Sequence, residues 1–169
     1  MEKTYLFRRV YTLTDKYNIQ YTTIHSIINM YIEYCKEELF RGRVVNITGL
    51  VSIVPDVITD YRRTTLAYEA RVLARKLSLP PNTVYAVLQG YIDSLIEEVL
   101  SGKIVELRSL VSLHPVIEDG VVARVHSAIS VPLKEKLETK DTVVTSFRAH
   151  TLKSLKYIVR SGSSEKVAI

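Results

Sequence analysis

The 169 residues hold one cysteine, no tryptophan, three phenylalanines, five prolines and six glycines. A lone thiol, Cys35, excludes an internal disulfide and fits a reducing compartment, and its place inside a helical pattern marks it as a buried filler. Scarce glycine and proline beside 47% apolar residues describe a chain that folds around a core and exclude a disordered or low-complexity segment. No stretch of 18 uncharged apolar residues occurs, so a membrane-crossing helix is not expected. The opening "MEKTYLFRRVYTLTDKYN" carries charges every few residues and no apolar centre, which does not read as a secretory signal. The glycine-bearing signatures of phosphate loops, dinucleotide folds and nucleophile elbows (G-x-x-x-x-G-K, G-x-G-x-x-G, G-x-S-x-G) are missing too.

What is there begins with an uneven charge. Residues 1–120 carry 14 Lys/Arg and 14 Asp/Glu, whereas residues 121–169 carry 9 and 4, the whole of the net +5. A basic C-terminal third is the footprint of an anionic partner, nucleic acid or an acidic protein face, and equally of a solvated surface.

The sequence also repeats itself. "FRGRVVNITGLVSIVP" at 40–55 returns as "LSGKIVELRSLVSLHP" at 100–115, and a gapless slide by 60 aligns 4–55 with 64–115. Fifteen of the 52 pairs are identical, among them Leu13/Leu73, Tyr31/Tyr91, Gly42/Gly102 and Pro55/Pro115, which marks a duplication. Each copy predicts a first helix with Thr4 or Thr64 as cap and a short turn, stopped by Pro80-Pro81 in the second copy. A second amphipathic helix follows, through Ile24, Ile27, Ile28, Tyr31 and Cys35 or through Val84, Val87, Leu88, Tyr91, Leu95 and Val99. Gly42 and Gly102 stand where a helix closes in the left-handed region. A hairpin then turns at Thr48-Gly49 or Arg108-Ser109. After Pro115, "GVVARVHSAISV" reads as a strand, "PLKEKLETKD" as one or two helical turns, "TVVTSF" as a strand and "RAHTLKSLKYIVR" as an amphipathic helix through Leu152, Leu155 and Ile158/Val159. The tail "SGSSEKVAI" reads as loose.

On "KTxL" opening a helix, "EELFRG" ending the next and "RVVNITGLVSI" starting a hairpin, the chain resembles the HU and integration host factor proteins of bacteria. In that family two helices precede a three-stranded sheet that extends into a DNA-bending β-arm, and a last helix follows. The likeness covers 3–55 and 63–115, and more loosely 143–160. It implies an α+β fold of two tandem helix–helix–hairpin units: 1–60 without an arm, 61–160 completed by extra strands and a C-terminal helix, and 161–169 as a tail. The family's Gly-Phe-Gly turn is Gly49-Leu50-Val51 and Ser109-Leu110-Val111 here. Its Asn-Pro arm tip, which wedges between base pairs, is missing, although Pro132 is present. Glu118, Asp119, Glu135, Glu138 and Asp141 would repel phosphate. The tandem copy can supply within one chain the partner that such a unit needs.

No catalytic or metal constellation stands out. His25, His114, His126 and His150 lack ligand spacing, and Glu37-Glu38 and Glu97-Glu98 sit on the last turns of amphipathic helices, where solvated carboxylates are ordinary. No enzyme activity, cofactor or small-molecule substrate is expected. The candidate contacts to an anionic partner are Arg124, Lys134, Lys136, Lys140, Arg148, Lys153, Lys156 and Arg160, several at helical spacing on the closing helix. Two functions follow. The preferred one is a structural assembly protein, self-associating into a ring beside neighbouring virion proteins, since the chain resembles the HU-like ring proteins of crass-like phage tails. Such a protein would be made in the bacterial cytoplasm and reside in the virion at the tail or portal. The alternative is architectural double-stranded DNA binding.

Overall fold

The computed structural model describes residues 3, 4 and 6–161, with side chains from Arg9 onward. The chain order is β1 (Lys3–Thr4), α1 (Leu6–Tyr17), α2 (Tyr21–Phe40), β2 (Val45–Ile47), β3 (Val51–Pro55), α3 (Leu66–Leu77) and α4 (Pro81–Leu100). It continues with β4 (Ile104–Leu107), β5 (Val111–Glu118), β6 (Val121–Ile129), α5 (Val131–Glu138), β7 (Phe147–Thr151) and α6 (Lys153–Ser161). The fold is mixed α+β. Both helices of the first copy recur 60 residues on with identical lengths, and the hairpin strands follow in the same order. Periodicity explains the helices: Val10 and Leu13, and Ile24, Ile27, Ile28, Tyr31 and Cys35, are all buried.

Local chemistry sets the boundaries. Gly42 and Gly102 take φ of +81° and +88° just past α2 and α4. At Gly42 any side chain would also collide with Thr59, because a Cβ would lie 2.8 Å from its methyl. Thr65 caps α3, its Oγ1 accepting from the Tyr68 amide at 3.1 Å. Thr65, one residue after the expected Thr64, is the cap of α3; Thr4 lies in β1, and the cap of α1 falls outside the described residues.

One sheet runs β1-β4-β5-β6 and the other β2-β3-β7. All pairs are antiparallel except β1, which lies parallel on the outer edge of β4. Ahead of α3, Asp60 makes a parallel bridge to Arg43, so the lead-in to each helix pair runs along the other copy's hairpin. The helices interlock the same way: α1 packs on α4 and α2 on both α3 and α4, so one hydrophobic core spans both copies.

The C-terminal section departs from the expected partition. Residues 143–160 do not finish the second copy. β7 pairs with β3, in register from Val51↔Thr151 to Pro55↔Phe147, and so completes the first copy's sheet. The second copy is completed earlier, by β6 (Val111↔Ile129) and α5. The two closures match in detail. The Ser130 amide donates to the Leu110 carbonyl at 3.1 Å, and the Leu152 amide donates to the Leu50 carbonyl at 3.0 Å. Leu133 and Leu137 bury α5 as Leu155 and Val159 bury α6. Each copy therefore has three strands and a closing helix, and the second copy is inserted into the first between β3 and β7.

The strand expected at "TVVTSF" begins only at Phe147, and Arg148–Thr151, expected as helix, are strand. Residues 142–146 approach β7 as an irregular segment held by Asp56, whose carboxylate accepts from the Thr145 amide (2.8 Å), the Thr145 hydroxyl (2.5 Å) and the Ser146 amide (3.1 Å). Those three bonds draw the Asp56 carboxyl down to about 2. The expected loose tail, from Gly162, lies outside the described residues.

Candidate interaction surface

Alternation along the strands decides what the two sheets show to solvent. On β5, Leu113 and Pro115 point into the core and His114 outward; on β6, Arg124, His126 and Ala128 are exposed; on β7, Arg148 and His150 are exposed between buried Phe147 and Thr151. The sheets meet at β6 and β7. There Thr151 Oγ1 donates to the Val125 carbonyl at 3.0 Å and lies 3.0 Å from Ser127 Oγ. The exposed residues of β5, β6 and β7 thus form the outer side of two abutting sheets.

The eight expected cations fall into three groups. Arg124 is on this outer side, but its guanidinium donates to Glu118 at 2.9 Å, both side chains being largely exposed. Lys134 and Lys136 are exposed on α5 beside Glu135 and Glu138, and the Lys140 ammonium lies 5.2 Å from the centre of the Phe40 ring. Arg148, Lys153, Lys156 and Arg160 share the β7–α6 segment, where all four are exposed. No acid lies between residues 147 and 161. The structure therefore gathers half of the expected set into one acid-free element and leaves the α5 group balanced by its own carboxylates. Tyr157, 72% exposed, and Ile158 accompany the α6 cations.

Sequence spacing missed other features. His114 and His126 are 12 residues apart, yet they are directly opposed in the β5–β6 register, with Ser112 Oγ 2.9 Å from His114 Nε2. Among the described residues no three His, Cys, Asp or Glu side chains form a group able to hold a metal ion. Arg9 and Glu69 occupy equivalent positions of α1 and α3, and both are buried. Among the described residues, no guanidinium nitrogen of Arg9 has a hydrogen-bond partner. Burial lowers its pKa, against the opposing pull of Tyr91 and Glu98 on α4. Burial, with Glu38 nearby as the second cause, raises the Glu69 carboxyl to about 8. Glu38 itself receives Arg43 at 2.5 Å, and Arg43 reaches Asp60 at 3.3 Å. The signal for both residues was in the sequence: position 69 lies three after Leu66 and four before Leu73, on the apolar stripe.

Glu69 is the carboxyl whose affinity for protons is moved into the neutral range, but the space beside it is about 10 Å³, room for a single water. The Cys35 thiol is buried with its pKa pushed up by that burial, the opposite of an activated nucleophile. The arrangement can hold an anionic or acidic surface against β7–α6, and the space at Glu69 is too small for a substrate. No helix among the described residues is long and apolar enough to cross a membrane. Comparison with family models, with curated proteins and with solved structures found no match to this chain.

Proposed function

We propose that the chain is a non-enzymatic assembly protein that uses an HU/integration-host-factor-like scaffold for subunit contacts, as a ring or connector component of a phage tail or portal. One observation carries the reading. At the place after Pro115 where the resemblance puts a DNA-bending arm, β5 turns back through Asp119 and Gly120 alone, both at positive φ. At the corresponding place after Pro55 the first copy carries the whole second copy instead. The order helix–helix–three strands–helix, completed in each copy, agrees with that scaffold. A partner surface that such units would take from another chain is supplied internally, at high effective concentration. Neighbouring virion proteins and further copies of the chain then meet the outside of a closed pair.

Duplex DNA binding is the second reading, favoured by the acid-free β7–α6 segment with Arg148, Lys153, Lys156 and Arg160 beside Arg124 on the outer sheet side. Light scattering on the native chain, paired with gel shifts across a salt series, separates the two. Assembly predicts a defined oligomer and no duplex shift at physiological salt. Tight duplex binding by a monomer or dimer that weakens steeply with salt, and is lost in Lys153→Glu/Lys156→Glu, overturns it.

A further inference from the structure

The two copies differ at one joint. Between α1 and α4, the Tyr17 ring lies over Gly90 so closely that a Cβ at position 90 would sit 2.7 Å from Tyr17 Cε2 and 2.9 Å from Cζ. The equivalent pair between α3 and α2 is Leu77 and Met30. There no aromatic ring fills the space, and a groove of about 450 Å³ remains, floored by Met30 and Leu77 and bordered by Tyr34, Glu33, Glu37 and Lys76. Glu33 and Glu37 are exposed one helical turn apart. Lys36, buried, contacts Glu33 at 3.1 Å, and Lys76 stands on α3, so Glu33 and Glu37 form an acidic edge along the α2 side of the groove. The filled joint demonstrates what this architecture accommodates at such a place: a tyrosine ring between two helices.

Elsewhere the chain displays the complement. On α6, Leu155 and Val159 face the core, while Tyr157 and Ile158 project to solvent among Lys153, Lys156 and Arg160, with no acid on the element. We propose that α6 of one copy docks in the α2/α3 groove of the next, with Tyr157 over Met30 and Leu77 and with Lys153 and Lys156 facing Glu33 and Glu37. The mode is a helix in a groove, with apolar anchors giving affinity and the charged border giving register. Donor and acceptor surfaces lie on different parts of the molecule, so the contact is heterologous and propagates head to tail, closing into a ring or extending into a filament. The inference rests on the assembly reading and names its contact.

Light scattering and sedimentation of the full chain at low salt provide the test. Tyr157→Ser alters only an exposed ring and is expected to weaken association at least tenfold with the monomer fold unchanged by circular dichroism. Lys153→Glu/Lys156→Glu and Glu33→Lys/Glu37→Lys are each expected to disrupt assembly, and the chain carrying all four changes is expected to regain it. Should wild type assemble and Tyr157→Ser and both charge pairs assemble equally well, the proposed contact is wrong while assembly stands. Failure of the four-fold swap to recover what its halves lose also overturns the pairing. A wild-type chain that remains monomeric at every concentration removes the assembly reading, and the contact with it.

Discussion

Two residues at one repeat position set the electrostatics of the shared core. Glu69 holds its proton to about 8 in the folded chain against an ordinary value of 4.5. Between those values the folded state binds more protons than the unfolded one, so stability falls as pH rises through the window and levels off above about pH 8. Glu69→Gln keeps the shape of the neutral acid, and urea unfolding from pH 5 to 8 should show a flatter profile, with a gain of about 1–3 kcal/mol at pH 8. Arg9 cannot shed its proton at any working pH, and its guanidinium nitrogens find no partner among the described residues. Arg9→Met should therefore stabilise the fold by about 1 kcal/mol, read as a higher urea midpoint with an unchanged slope. Both residues were visible as charges on an apolar stripe. That they sit in the interior, rather than at a helix surface, depends on the other copy's helix arriving over them.

At the scale of elements, the helix boundaries and hairpin turns follow from local rules. Helical periodicity, the Pro80-Pro81 stop and glycine at positive φ act over a few residues and need no distant partner. The closing strand and helix do not follow in that way. β6–α5 and β7–α6 are related by a shift of 22 residues, and their shared signal is little more than Leu133/Leu155 and Lys134/Lys156, too faint beside the shift of 60 that dominates the sequence. The joint between α1 and α4 is likewise an element-scale device, since the Tyr17 ring lies where a Cβ on residue 90 would stand. Gly90→Ala normally favours a helix, but here it is expected to cost about 1–3 kcal/mol in thermal or urea unfolding, because the methyl meets the ring. Tyr17→Leu, the residue type at the equivalent position 77, should recover most of that loss in the double variant, and a simple sum of the two effects would refute the contact.

At the scale of the whole molecule, the insertion of one copy into the other ties the C-terminus to the N-terminal half. Removing residues 147–161 strips β3 of its outer partner and takes Phe147, Leu155 and Val159 out of the core. Hydrogen exchange on a chain ending at Ser146 should show protection lost first in 45–55, while 104–129 keeps more of its own. Were 143–160 part of the second copy, the order would be reversed. The same architecture accounts for the surface. Four of the eight expected cations become one acid-free element on the flank of the first copy, while Arg124 pairs with Glu118, Lys134 and Lys136 lie on α5, and Lys140 follows it.

The sequence by itself determined the fold class, the doubled helix–helix–hairpin, the places where helices stop, and the concentration of positive charge in the last third. These are properties of neighbours along the chain, set by periodicity, caps and turn chemistry. Only the tertiary structure decided which sheet the last strand joins, which helices cover Arg9 and Glu69, and why one inter-copy joint is filled and the other open. Strand pairing and burial join residues separated by nearly one hundred positions, such as Ser52 and His150. Which of several compatible edges and apolar faces combine is settled by packing the entire core at once, and no local pattern carries that choice.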